Sequence, residues 1–195
     1  MELLILVLPE ADFTMSKSVN LSKLLSNCPR IHSLLLHDFT VEILGPDRSM
    51  LKTLTTKMVN LKTLNLYHVL YKLCQIVNSL CLIRHLPNLQ ELQVYLNFQA
   101  KSSDPENPKI EHHLEALDWK DVLLDQLLTV EIQGIVGFRC VHHLTKILLA
   151  SSLSLREMSL YCSTTVSDPN EKLRITRELL QLPKKSLGAQ LHWFD

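Results

Sequence analysis

Apolar residues along this chain keep returning in one short phrase, three positions spaced as LxxLxL. It runs through Ile31, Leu34 and Leu36; Leu61, Leu64 and Leu66; Leu89, Leu92 and Val94; Leu127, Val130 and Ile132; and Leu155, Met158 and Leu160. The central residues are Leu34, Leu64, Leu92, Val130 and Met158, so the spacing is nearly constant apart from one longer step between Leu92 and Val130. One further step of the usual size back from Leu34 reaches Ile5, inside Glu2–Val7, which reads as a sixth, damaged copy whose first apolar position is broken by Glu2. In a strand, alternate side chains point to opposite faces, so Leu64 and Leu66 face one way while Thr63 and Asn65 face the other. A strand this short cannot bury its apolar face alone. Successive copies must lie side by side in a parallel sheet to make one continuous core.

Between the copies the spacing changes to a helical period. Val19, Leu21, Leu24, Leu25 and Cys28 line one helical face that ends at Pro29. Leu73, Cys74, Ile76, Val77, Leu80 and Ile83 line a second, ended by Pro87, and Val141, Leu144, Ile147 and Leu148 a third. The longest step contains Lys101–Lys109, a polar loop with two prolines inserted into the pattern. One copy of the phrase means nothing in a leucine-rich chain, but five in near-constant register define a repeat. The expected fold is α/β: a leucine-rich-repeat solenoid with a curved parallel sheet of five or six short strands and helices on its outer side.

With 195 residues the chain suits one domain or one short array. Twenty basic residues balance 20 acidic ones, and the densest basic spot is Lys184-Lys185, far from the clustered cations that phosphate backbones require. No nucleic-acid partner is expected. The five cysteines, Cys28, Cys74, Cys81, Cys140 and Cys162, are odd in number and lack CxxC spacing, which fits free thiols in a reducing compartment. The start carries Glu2 where a signal peptide needs a basic residue, and no stretch nears the ~20 apolar residues of a membrane span. An intracellular protein, cytoplasmic or nuclear, is expected, with no membrane partner.

Chemistry-bearing clusters are few. His112-His113 with Glu111 and Glu115, and Cys140 with His142 and His143, are two metal candidates, but neither is completed by a second closely spaced pair. Asp121 and Asp125 are four apart on a candidate helix, where they read as a solvated face beside Lys120. The nucleophile-elbow, phosphate-loop and zinc-hydrolase strings are absent. The expectation is a protein with no catalytic, cofactor-binding or metal residues and no cofactor.

From Trp119 onward the residues carry a resemblance. Leu127-Leu-Thr-Val-Glu-Ile-Gln-Gly134 is followed by Gly137, a helix ending Ile147-Leu-Leu-Ala150, then Leu155-Arg-Glu-Met158, and later Glu178-Leu-Leu180, Pro183 and Ser186. This set resembles the FBD domain at the C-terminal end of plant F-box/LRR proteins, and the repeats before it are similar to the LRR part of the same family. The resemblance divides the chain into repeats over 1–116 and an FBD-like region over 117–195 that continues the solenoid. It implies the substrate-recognition part of a ubiquitin-ligase receptor. Nothing at the N-terminus resembles an F-box, so docking on the adaptor of a cullin-type ligase is implied only for a longer form. A truncated or decoy family member that binds without recruiting is the alternative, and an enzyme with an unrecognised site a distant third.

A binding role directs attention to the residues between the core leucines, which form rungs on the sheet's other face. Aligned, they are Ser33, Leu35 and His37; Thr63, Asn65 and Tyr67; Glu91, Gln93 and Tyr95; Thr129, Glu131 and Gln133; and Glu157, Ser159 and Tyr161. The candidate protein-binding face is His37, Asn65, Tyr67, Glu91, Gln93, Tyr95, Glu131, Glu157 and Tyr161. Tyrosine is enriched at interfaces, yet it also favours strands for their own sake, and the register alone does not separate these readings. The three glutamates make a basic partner footprint the expectation.

Overall fold

A computed structural model describes residues 2–6, 30–37, 58–70, 73–97, 122–137 and 139–195. Seven strands form one sheet in strict chain order, and every neighbouring pair is parallel. They are β1 (Glu2–Leu6), β2 (Ile31–His37), β3 (Thr63–Leu70), β4 (Glu91–Asn97), β5 (Thr129–Ile135), β6 (Glu157–Cys162) and β7 (Gln190–Phe194). Three helices are described: α1 (Leu73–Ile83), α2 (Arg139–Ser151) and α3 (Pro169–Leu180). The fold is α/β, compatible with a leucine-rich-repeat sheet. The helix expected over 19–28 and the loop at 101–109 lie outside the described residues.

The register follows the phrase. Leu34 pairs with Leu64, Leu64 with Leu92, Leu92 with Val130, and Val130 with Met158. These five are buried, as are the third-position residues Leu36, Leu66, Val94, Ile132 and Leu160 beside them. From α1, Ile76, Leu80 and Ile83 join the same core, and from α2 Val141, Leu144, Ile147 and Leu148 do so. The described helices therefore cover the leucine face. β5, β6 and β7 continue the sheet in chain order.

Backbone hydrogen bonds repeat with the side chains. The amides of Lys62, Gln90, Leu128, Arg156 and Gln190 donate at 2.8 Å to the carbonyls of His32, Lys62, Gln90, Leu128 and Arg156 respectively. One turn earlier, the amides of Leu61, Leu89 and Leu127 donate to the carbonyls of Met58, Leu86 and Leu124. The buried Leu86 and Leu124 thus extend the phrase by one more apolar position towards the N-terminus.

Two expectations need correction. The sheet has seven strands, where five or six were expected. In β7 the opening position falls on Gly188 and the third on Trp193, so an LxxLxL filter passes over it, although Leu191 pairs with Met158. In β1 the counterpart of Leu34 is Leu4, not Ile5. Ile5 pairs with Leu35, and its side chain is 54% exposed. The first repeat step therefore runs from Leu4 to Leu34 and equals the next one, from Leu34 to Leu64. Glu2 does oppose Ile31 in the opening column, across a register irregularity before Leu3.

Gly134 has a local cause. The register shifts between Ile132 and Ile135, and at that bulge Gly134 adopts φ 79°. A Cβ there would run into the carbonyl oxygen of Leu96 on β4. Only glycine accepts both the left-handed backbone and the close approach.

Leu64 is fully buried between neighbours on both sides, so Leu64→Ala is expected to cost about 2–5 kcal/mol. Leu173, exposed on α3, serves as the control, and Leu173→Ala should stay within about 0.5 kcal/mol. Urea denaturation of both variants checks the register: equal midpoints would mean that Leu64 does not occupy the core column.

Candidate functional site

The face opposite the helices is built by strand alternation alone. On each strand the two residues flanking the central buried position, and the one after the third, turn away from the core. Three columns result. The first holds Ser33, Thr63, Glu91, Thr129, Glu157 and Gln190, and the second Leu35, Asn65, Gln93, Glu131, Ser159 and His192. The third runs through His37, Tyr67, Tyr95, Gln133, Tyr161 and Phe194. All nine residues expected to form a binding face lie in these columns.

The third column is aromatic. Tyr67 and Tyr95 stack with ring centroids 4.1 Å apart and planes 16° apart. Tyr161 and Phe194 stack at 4.5 Å and 14°. Parallel pairing sets Tyr161 opposite Phe194, one strand spacing apart, whereas Tyr67 meets Tyr95 where the β3–β4 register shifts after Leu66. Phe194 and His192 were missed by sequence reasoning because β7 itself was missed. The Leu-His-Trp-Phe alternation of its final residues was the available signal.

The first two columns are apolar at Leu3, Ile5 and Leu35 and otherwise polar, with three glutamates on β4, β5 and β6. Glu91 and Glu157 are exposed, Glu131 is half-buried, and no lysine or arginine occupies any of the three columns. Neutral neighbours partly tie the carboxylates down. Thr63 Oγ1 donates to Glu91 Oε2 at 3.4 Å, Ser159 Oγ to Glu157 Oε1 at 3.3 Å, and Gln133 Nε2 to Glu131 Oε1. Asn65 Oδ1 is shielded and has no hydrogen-bond partner among the described residues.

The metal candidates fare differently. His112, His113, Glu111 and Glu115 lie outside the described residues, as does the side chain of Cys140. His142 and His143 meet edge to face at 6.0 Å on α2. Among the described residues, no three histidine, cysteine or carboxylate side chains gather in metal-binding reach. Asp121 is also outside, while Asp125 is half-buried in the turn before β5. No helix among the described residues is long and apolar enough to cross a membrane.

Over 187 residues, 92% of its length, the chain is 32% identical to the F-box/FBD/LRR-repeat protein At1g13570 of Arabidopsis thaliana. It is a homologue of the plant F-box/FBD/LRR-repeat proteins. The chain spans 42% of that relative's length. No protein-family model matches it, and no solved structure does.

In this chain the aromatic column shifts one phenol. A hydrogen bond with Tyr67, then partial burial, then charge repulsion from Tyr67 and, after it, from Glu131 push the Tyr95 phenol up to about 12. A phenol raised above its unfolded value near 10 contributes stability that is complete below about 10 and is lost as pH rises through about 12. Ultraviolet titration of the tyrosines should therefore show one late ionisation near 12. Tyr67→Phe removes its largest cause and should bring that ionisation down towards about 10. A late ionisation unmoved by Tyr67→Phe would mean that the two phenols are not coupled.

Proposed function

We propose that this chain is the protein-recognition part of an F-box-type receptor, a leucine-rich-repeat solenoid whose open sheet face holds another protein. In this reading residues 1–116 are repeats and 117–195 an FBD-like region that carries the solenoid on. The chain acts inside the cell, in cytoplasm or nucleus, as a binding module and not as an enzyme. Contact with the adaptor of a cullin-type ligase would require an F-box supplied in a longer form.

One observation carries the proposal. An all-parallel sheet is ordinarily covered on both faces, yet here the face away from the described helices presents exposed glutamates and two aromatic stacks. Tyrosine and phenylalanine rings offer large contact area at small cost in side-chain entropy, and the surrounding polar rungs keep the surface soluble without a partner. The name of the Arabidopsis relative supports the same reading, because it joins an F-box to leucine-rich repeats, and stacked repeats of this kind present extended binding surfaces.

The test is partner retention by charge-reversed faces. Bead-bound chain is incubated with plant extract, and the proteins retained are compared between wild type, Glu91→Lys/Glu131→Lys/Glu157→Lys and Lys146→Glu. Lys146 is exposed on α2, away from the columns. The triple variant should lose its partner about tenfold or more, with retention by wild type falling as salt is raised. Equal retention by all three proteins would contradict the assignment of this face.

A further inference from the structure

The aromatic column is interrupted at one rung. Tyr67 and Tyr95 make one stack, Tyr161 and Phe194 another, and Gln133 on β5 stands between them. Gln133 does not fill that rung with a ring. Its amide turns sideways and donates to the carboxylate of Glu131 on the same strand. Strands in a sheet lie about 4.8 Å apart, so two steps set β4 and β6, the strands of Tyr95 and Tyr161, roughly 9–10 Å apart on either side of the bulged β5. Carbon contacts of about 3.5–4.0 Å on each side of a flat group add to roughly 7–8 Å. That strand separation matches one planar group held between two aromatic walls once the Gln133 amide is turned aside.

Charge decides which planar group. Glu131 lies one column along β5 from the gap, within reach of the Gln133 amide, exposed Glu91 and Glu157 sit on the strands to either side, and the three columns hold no lysine or arginine to offset them. A cation is required. A lysine ammonium is compact and strongly hydrated and gains little from flat walls. A guanidinium is planar, stacks on aromatic faces, and offers a fork of N–H donors that matches a carboxylate.

We propose that this rung is an arginine slot: a guanidinium from an extended basic segment of a partner protein enters between Tyr95 and Tyr161, displaces the Gln133 amide from Glu131 and takes the carboxylate in paired hydrogen bonds. The proposal rests on the reading of the open face as a recognition surface and adds the chemistry of the partner. In the free protein Gln133 is the placeholder. It satisfies Glu131 with one neutral donor, which a charged pair of donors outcompetes. Glu91 and Glu157 steer the basic segment and select against acidic competitors, while the slot tells arginine from lysine.

The experiment is isothermal titration calorimetry of the full chain at roughly 0.15 M salt. The probes are N-acetylated, C-amidated octapeptides of alternating glycine and arginine, and of alternating glycine and lysine. The arginine peptide should bind about fivefold tighter or more than the lysine peptide. Glu131→Gln and Tyr95→Leu should each bring that ratio close to one, whereas Tyr95→Phe keeps the ring and should keep the preference. Gln133→Ala removes the placeholder and should tighten arginine binding about two- to threefold. Circular dichroism melts establish that each variant is folded; Glu131→Gln and Gln133→Ala alter only partly exposed side chains and keep the test decisive if Tyr95→Leu unfolds. Equal affinity for the two peptides, still weakened by Glu91→Lys/Glu157→Lys, would overturn the slot and leave the open-face reading standing. An arginine preference that survives Glu131→Gln and Tyr95→Leu would overturn the slot as well. So would the absence of binding to either peptide.

Discussion

Each of the strands β2 to β6 contributes two or three buried apolar side chains, and none has enough to fold by itself. The leucines of one strand lose their contact with water only because the next strand, one repeat further along the chain, presents the same columns in the same register. Leu34, Leu64, Leu92, Val130 and Met158 form one such file, and the bond from each strand's entry amide to the preceding strand's carbonyl holds it at 2.8 Å from β2 to β7. The helices depend on this file, because their apolar faces pack on it. The open face depends on it too. The strands that align leucines on one side carry the aromatic rings on the other, so a slip of one residue would turn each set to the wrong face.

That coupling explains what the amino-acid sequence disclosed and what it hid. Five strands and their relative register were legible because the core residues at those positions are all large and apolar. The rungs Tyr67, Tyr95 and Tyr161 followed from them without further information. β7 was hidden because Gly188 and Trp193 replace leucine where the phrase needs it, and Phe194 was lost with it. The offset in β1 has another cause. Leu3, Leu4, Ile5 and Leu6 are all apolar, so alternation cannot tell the buried column from the exposed one, and only pairing with β2 does. Nor does a residue string disclose that Gln133 bends away to Glu131. That depends on which neighbour its amide reaches, and the gap in the aromatic column follows from it.

The two faces also differ in what they demand of a substitution. On the core face volume is fixed by neighbours on three sides, and a lost methylene leaves a void. On the open face the side chains are half-exposed rungs, and changing one alters charge or ring area while leaving the backbone ladder intact. A repeat fold of this kind can vary its recognition surface without rebuilding its core. Three glutamates in the first and second columns beside an aromatic third are what the proposed preference for flat cations rests on.

The central claim is that the open face is where a partner sits, and hydroxyl-radical footprinting of the chain with a captured partner tests it most directly. The account predicts that Tyr67, Tyr95, Tyr161 and Phe194 become protected from oxidation on binding, while exposed Leu173 and Leu180 on α3 stay as reactive as in the free chain. Protection of α3 with the aromatic column left reactive would contradict it.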